Sequence, residues 1–252
     1  MKISDAVTQY FMERKLKKAY GRDVQIQKGV NGSLFISSDA PNVPEWKIDG
    51  KSDFDKFIKR YGMTAVDEQG QEVGKYTMAS RGTVEASKDV TMIAPEYKDR
   101  FGRRWTVLQE EARPIDVVRR GKNARILAFP AGIIGDEAAF KNESAMESAV
   151  RELTEETGLK PKKIISLNPS SEAIRTTPGL TDEATNYYKA LIKDLKPSTK
   201  AVTDGGVTRG WHFVPVKRLP QWIENLSKSG KIISGQSLTA IALMILSKGK
   251  IK

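Results

Sequence analysis

Residues 144–158, SAMESAVRELTEETG, constrain the fold more than any other stretch of this chain. Ser144 followed three residues later by Glu147 is a capping box, which opens a helix by satisfying two backbone donors that would otherwise be orphaned. Gly158 stands where a helix ends best, because glycine takes the left-handed C′ conformation at least cost. Between these caps Glu152, Glu155 and Glu156 are spaced i, i+3 and i+4, so three carboxylates share one face. Like charges placed this way cost roughly 0.2–0.5 kcal/mol per pair. A wet surface absorbs that cost, and a solvated acidic edge is the plain structural reading. The chemical reading is a set of ligands for a hard divalent cation. Mg²⁺ takes oxygen donors, uses one or two carboxylates, and leaves water and substrate phosphates to complete its shell. Arg151 would then tie down one glutamate in a bidentate pair and keep the rest aimed.

The segments around this helix alternate or run apolar as strands do. Residues 63–80 read as a hairpin around Gln69-Gly70, and VTMIAPEY and RWTVLQEEARP as strands joined by a turn at Lys98–Gly102. ARILAFPAG is expected to run as one strand into a glycine loop. KIISLNP, ATNYYKALIKDL and GWHFVPV follow as strands, and PQWIENLSKSG and SGQSLTAIALMILSKG as two closing helices. Strands interleaved with helices imply an α/β or α+β layered domain over residues 63–252.

Residues 1–62 form a separate small α/β extension in this reading, with no chemistry suggested. A helix over 2–20 is closed by Gly21, and a hairpin turns at Asn31-Gly32. A two-proline loop, SSDAPNVPEW, leads to a second helix over 52–62, with Ser52 as N-cap and Gly62 at its end. Trp46 reads as a packed loop anchor, with an aromatic lid over a base as the alternative.

Composition narrows the function classes. The sequence has no cysteine, which excludes a disulfide framework, a thiolate zinc site and a cysteine nucleophile. The opening residues carry acids where a signal peptide needs an apolar core, and no window approaches a membrane span, so a cytoplasmic protein without membrane contact is expected. The net charge is +11, with 12 basic and 3 acidic residues after position 186. A lysine-rich solvated surface explains that excess. Attraction of a polyanion or nucleic acid is the lesser option, since no recognition motif accompanies it.

The motif RELTEETGL resembles the second half of the Nudix hydrolase box. Arg151, Glu152, Leu153, Glu155, Glu156, Gly158 and Leu159 match it, and Glu143 lies at the required spacing. The box glycine would fall at Glu137; the nearest suitable glycine is Gly132, in FPAG, which leaves about five extra residues before Glu143. FPAG and VLQEEARP resemble the ADP-ribose pyrophosphatase branch of that superfamily. The resemblance implies a Nudix fold, a mixed β-sheet sandwiched between helices. It implies metal ligation by Glu152, Glu155, Glu156 and the Ala131 carbonyl, with Mg²⁺ as cofactor and Mn²⁺ as a possible substitute. It further implies Glu183 as general base, with Asp182 its nearest competitor, and the expected catalytic set is Glu183, Glu152 and Arg151. Arg113 and Gly132 are the implied substrate-binding residues; a surface salt bridge from Arg113 to Glu110 or Glu111 is the plain alternative. His212 reads as a structural residue at a sheet edge.

The implied activity is hydrolysis of a nucleoside diphosphate linked to another moiety, ADP-ribose or a nucleotide sugar first, giving two monophosphates. The implied partner is a nucleotide-type small molecule, and the implied assembly a homodimer, since the 63–80 hairpin resembles strands exchanged between subunits in that branch. The alternatives are a Nudix hydrolase acting on a dinucleoside polyphosphate or RNA cap, and a non-catalytic ADP-ribose-sensing domain.

Overall fold

The computed structural model of the protein describes residues 5–37, 59–80, 88–121, 123–136, 138–178, 180–199, 207–229 and 231–247. The chain opens with α1 (Asp5–Tyr20), stopped at Gly21. The hairpin of β1 (Ile26–Lys28) and β2 (Leu34–Ser37) follows, antiparallel as expected. Its turn needs a left-handed backbone, supplied by Asn31 (φ 55°) and Gly32 (φ 76°), the residue types that reach it at least cost.

The next described segment is a second hairpin, β3 (Lys59–Val66) and β4 (Glu72–Ser80), which forms a two-stranded sheet of its own. Its turn is closed by Asp67, whose Oδ1 accepts from Gln69 and Gln71 N–H. The expected helix over 52–62 is corrected here. Residues 59–62 pair with residues 77–80 across the hairpin, while 52–58, like Trp46, lie outside the described residues. Apolar spacing suggested a helix; cross-strand pairing decided otherwise.

Two long antiparallel strands, β5 (Val90–Lys98) and β6 (Arg104–Ala112), form the centre. A short helix that sequence reasoning did not anticipate, α2 (Pro114–Arg120), starts on a proline and stops at Gly121. The ARILAFPAG segment is not one strand. It breaks at Phe129-Pro130 into β7 (Ile126–Ala128), paired with the end of β6, and β8 (Ala131–Ile133), paired with the start of β5. Proline cannot donate to a ladder, and the chain changes partner there. The acidic helix is α3 (Ala145–Thr157).

Beyond it come β9 (Pro161–Ser166), β10 (Ile174–Arg175), β11 (Ala184–Ile192), β12 (Val207–Pro215), α4 (Leu219–Lys228), β13 (Ile232–Ile233) and α5 (Gly235–Leu246). The main path through the sheet runs β1-β2-β12-β6-β5-β11-β10, so the N-terminal hairpin extends the main sheet beside β12. β5 and β11 run parallel, as do β7 and β13, among otherwise antiparallel neighbours.

Alternation along the central strands sorts the core into two layers. Ile93, Tyr97, Val107, Tyr188 and Phe213 face α1 and α3, packing with Met12, Leu16, Ala149 and Leu153. Met92, Ala94, Leu108, Tyr187 and Val214 face α4 and α5, packing with Leu219, Trp222, Ala240, Ile241 and Met244. Burying each large apolar side chain contributes roughly 1.5–3 kcal/mol, so the helices are held by these faces. The expected mixed sheet between helices is what forms. Among the described residues no helix is long and apolar enough to cross a membrane.

His212 is not at a sheet edge. β12 is flanked by β2 and β6, and the ring is buried between Phe35 and Trp222. Its Nε2 donates to Glu110 Oε2 at 2.7 Å, and Lys231 Nζ reaches the same oxygen at 2.8 Å. Burial alone would raise the Glu110 carboxyl, but these two bonds hold it at about 2. Burial in turn keeps the imidazole below its ordinary range, so the ring donates as a neutral group.

Candidate active site

Both caps of α3 form as the sequence requires. Ser144 Oγ accepts from Glu147 N–H, the Glu147 carboxylate accepts from Ser144 N–H, and Gly158 is left-handed (φ 70°). The helix therefore has a fixed start, and Arg151 and Glu152 come at fixed heights along it.

Arg151 is the hub. Its Nη2 and Nε grip the two oxygens of Glu143 at 2.8 and 3.1 Å, a bidentate fork. Nη1 lies 2.6 Å from Glu152 Oε1 and 3.2 Å from Glu155 Oε2, and Asp136 stands 3.6 Å from Nη2. The guanidinium also stacks 4.6 Å from the Phe140 ring centroid. Hydrogen bonding to Glu143 keeps Arg151 firmly protonated, and the same contact holds the Glu143 carboxyl below its usual range. The long loop after Gly132 thus folds back over Arg151. Gly135 N–H completes the fold by donating to Glu143 Oε1 at 3.0 Å. Glu137, where the box glycine would fall, lies outside the described residues.

Glu152 is pressed against the loop strand. A Cβ built on Gly132 would meet Glu152 Oε1 at 1.9 Å and Cδ at 2.2 Å, so only glycine fits beside that carboxylate. Burial, with Glu155 close by, pushes the Glu152 carboxyl up to about 7 despite Arg151. Glu156 is raised well above the usual range too, by burial first and then by Glu152 and Glu111; Gln109 Nε2 donates to it at 2.9 Å. Two buried carboxyls that disfavour their own charge, next to a third, fit a divalent cation, whose positive charge would relieve that repulsion. The fit is of the one-or-two-carboxylate kind. Among the described residues, no three acidic or histidine side chains are gathered closely enough to hold a metal by themselves.

Arg113 forms the surface pair anticipated as its alternative: Nε lies 2.8 Å from Glu111 Oε1, with the arginine half-exposed and the glutamate buried. It is also close enough to Glu156 to favour its ionised form. Ala131 pairs with Met92 in β8. Glu183 precedes β11 at the same end of β5, because Thr185 and Ile133 both pair with Val90 from its two sides. Gln236 Nε2 is 3.5 Å from Glu183 Oε1. Asp182 is engaged elsewhere, accepting from Ser80 Oγ at 2.7 Å, beside a bridge between Ala79 and Thr181. Sequence reasoning did not single out Gln109, nor Glu111 as a neighbour of Glu156. Alternation was the available signal: Val107 faces α3, so Gln109 and Glu111 share that face.

The described residues thus form a layered mixed sheet that carries a capped acidic helix against a glycine strand end. The chain belongs to the NUDIX domain family, which matches residues 100–233, and it is a Nudix hydrolase. Among solved structures, it is similar to one described as an ADP compounds hydrolase, at 17% identity and a TM-score of 0.52, covering 78% of this chain and 90% of that one. It is also similar to the NUDIX domain of Shewanella oneidensis NrtR, in a structure described as complexed with ADP ribose. That match has 16% identity and a TM-score of 0.40, and covers 63% of this chain and 86% of that one. Among curated proteins none matches this sequence.

Proposed function

We propose that this Nudix hydrolase cleaves the diphosphate bond of a nucleoside diphosphate joined to a second moiety, releasing two monophosphates. ADP-ribose and nucleotide sugars are the first substrates in this reading. The observation that carries it is the pair of Glu152, buried against Gly132 and bonded to Arg151, and Glu156, one turn on and bonded to Gln109. A divalent cation, Mg²⁺ with Mn²⁺ as substitute, would supply neutralisation of diphosphate charge and a water made more acidic; Glu152 and Glu156 would hold it, and Glu155 and the Ala131 carbonyl would join them only by moving in on binding.

The chain's own residues do the rest. Arg151 is a positioning residue: it fixes Glu152 through a short ion pair and is itself anchored by Glu143. Arg113 turns its fork from Glu111 to the phosphate oxygens. Glu183 takes the proton from the attacking water, and the P–O–P bond breaks with the second phosphate as leaving group. The fold shared with a protein described as an ADP compounds hydrolase makes adenosine diphosphate compounds the natural first tests. In the same reading the protein works in the cytoplasm as a homodimer built around the β3–β4 hairpin. The hairpin leaves Met63, Val66 and Val73 exposed, apolar surface that a second copy would cover.

The test is phosphate release from a panel of ADP-ribose, nucleotide sugars, dinucleoside polyphosphates and capped RNA, with and without Mg²⁺. Metal-dependent cleavage of ADP-ribose or a nucleotide sugar to two monophosphates supports the proposal. Turnover of dinucleoside polyphosphate or capped RNA alone would replace the substrate half of it.

A further inference from the structure

A second concave site lies far from the carboxylates. It is a cavity of about 730 Å³ between α1 and the β5–β6 turn, lined by Phe11, Tyr97 and Phe101 and by basic residues of α1 and the turn. Tyr97 is six residues along β5 from Thr91, which pairs with Gly132. At about 3.3 Å per residue the two sites are roughly 20 Å apart. The volume falls within the range of about 300–1,000 Å³ typical of small-molecule sites.

The lining combines two chemistries. Phe11 and Phe101 lie 5.2 Å apart, and the Arg100 guanidinium covers both rings, 3.6 Å from the Phe11 centroid and 4.7 Å from that of Phe101. The rings are tilted by 57° and already carry Arg100, so the plane left for a base is the outer face of that exposed guanidinium. Around them stand Arg14, Lys15, Lys17, Lys18 and Arg22. Lys15 is paired with Asp194 and Lys17 with Glu13. Among the described residues, Arg14, Lys18, Arg22 and Arg100 have no carboxylate partner. The one acid in the lining, Asp99, is bound up in its own turn, accepting from Phe101 and Arg103 N–H and from Trp105 Nε1. The cavity therefore offers uncompensated positive charge over an aromatic floor. An acidic peptide would use the charge alone; a nucleotide uses both.

We propose that this cavity is a second ligand site that binds a nucleotide phosphate, either free or as part of a single-stranded polynucleotide. The base stacks on the Arg100 guanidinium, itself held on Phe11 and Phe101, and Lys18, Arg22 and Arg14 take the phosphates. The site does not depend on the hydrolytic reading, since none of its residues touches the α3 carboxylates.

The experiment is fluorescence anisotropy on the full chain without divalent cations, using a labelled 12-nucleotide oligoadenylate and a labelled ADP. Wild type should bind at least one probe, and binding should weaken as salt rises. The exposed-residue variant Lys18→Glu/Arg22→Glu and the single Arg100→Ala should each weaken that binding at least tenfold, while leaving hydrolysis unchanged. Displacement of the oligonucleotide by unlabelled ADP assigns the site to free nucleotides; failure of ADP to compete assigns it to a polynucleotide. The proposal is overturned if neither probe binds, if both variants bind as wild type does, or if polyglutamate displaces the oligonucleotide as well as nucleotide does. A loss of hydrolysis with nucleotide binding intact in Glu152→Gln separates this site from the catalytic one.

Discussion

Gly132 and Glu152 are packed so closely that a single added carbon cannot stand between them: a Cβ at position 132 would lie 1.9 Å from Glu152 Oε1. Gly132→Ala must therefore displace either the carboxylate or β8. The expected result is a fall in turnover of roughly tenfold to a hundredfold, the usual penalty for misplacing a reacting group by about an ångström. Steady-state rates with Mg²⁺ beside a melting curve check this. Unchanged turnover would mean that the position of Glu152 does not matter to the reaction.

Arg151 holds Glu143 through both oxygens and touches Glu152 and Glu155 with its remaining nitrogen. Arg151→Ala leaves a cluster of carboxylates without their common cation. Removing one partner of such a mostly buried group costs about 3 kcal/mol or more, a drop in Tm of roughly 10 °C for a chain of this size. Arg151→Lys keeps the charge but loses the fork, and should recover only part of both stability and turnover. Thermal denaturation of the three proteins at one ionic strength tests the order.

Glu110 links folding to pH on the opposite face of the sheet. Its folded carboxyl titrates at about 2 against an ordinary 4.5, so its contribution is present above 4.5 and is lost as pH falls from there toward 2. His212 is held neutral in the folded state while the unfolded ring protonates below about 6.5, which adds to the loss on the acid side. Urea unfolding from pH 7 down to 3 should show stability falling with acid, and Glu110→Gln should flatten the steepest part, below pH 4.5. An unaltered slope in the variant would remove Glu110 as the cause.

Asp182 and Glu183 are neighbours with different surroundings. Asp182 accepts from Ser80 Oγ at 2.7 Å and helps seat the β3–β4 hairpin, whereas Glu183 faces α5, with Gln236 Nε2 at 3.5 Å from its Oε1. Glu183→Gln is expected to lower turnover by roughly a hundredfold or more, the range for loss of a general base. Asp182→Asn should loosen the hairpin, seen as faster proteolysis within residues 59–80, with turnover close to wild type. The reverse pattern would move the base to Asp182.

Much of this was legible where the signal is local. Both caps of α3, the turns at Asn31-Gly32 and Gln69-Gly70, and the long strands rest on residue chemistry within a few positions, and they form as that chemistry requires. The exceptions depend on partners distant in sequence. Lys59–Gly62 has helical spacing, but it pairs with residues 77–80. The break at Phe129-Pro130 exists because β7 and β8 need different neighbours, and the short α2 was masked by a strand that runs directly into it. The α3 carboxylates could be placed on one face from spacing alone. That Arg151 spends its fork on Glu143, and that Gly132 abuts Glu152, follow from how the loop folds back, which spacing does not contain.

The central claim is that the buried Glu152 carboxylate takes part in metal-assisted cleavage of a diphosphate. The most direct measurement is turnover of ADP-ribose and a nucleotide sugar by purified Glu152→Gln with saturating Mg²⁺, beside wild type. The account predicts a fall of roughly a thousandfold or more, with the fold retained by circular dichroism. Wild-type turnover in the variant would contradict it.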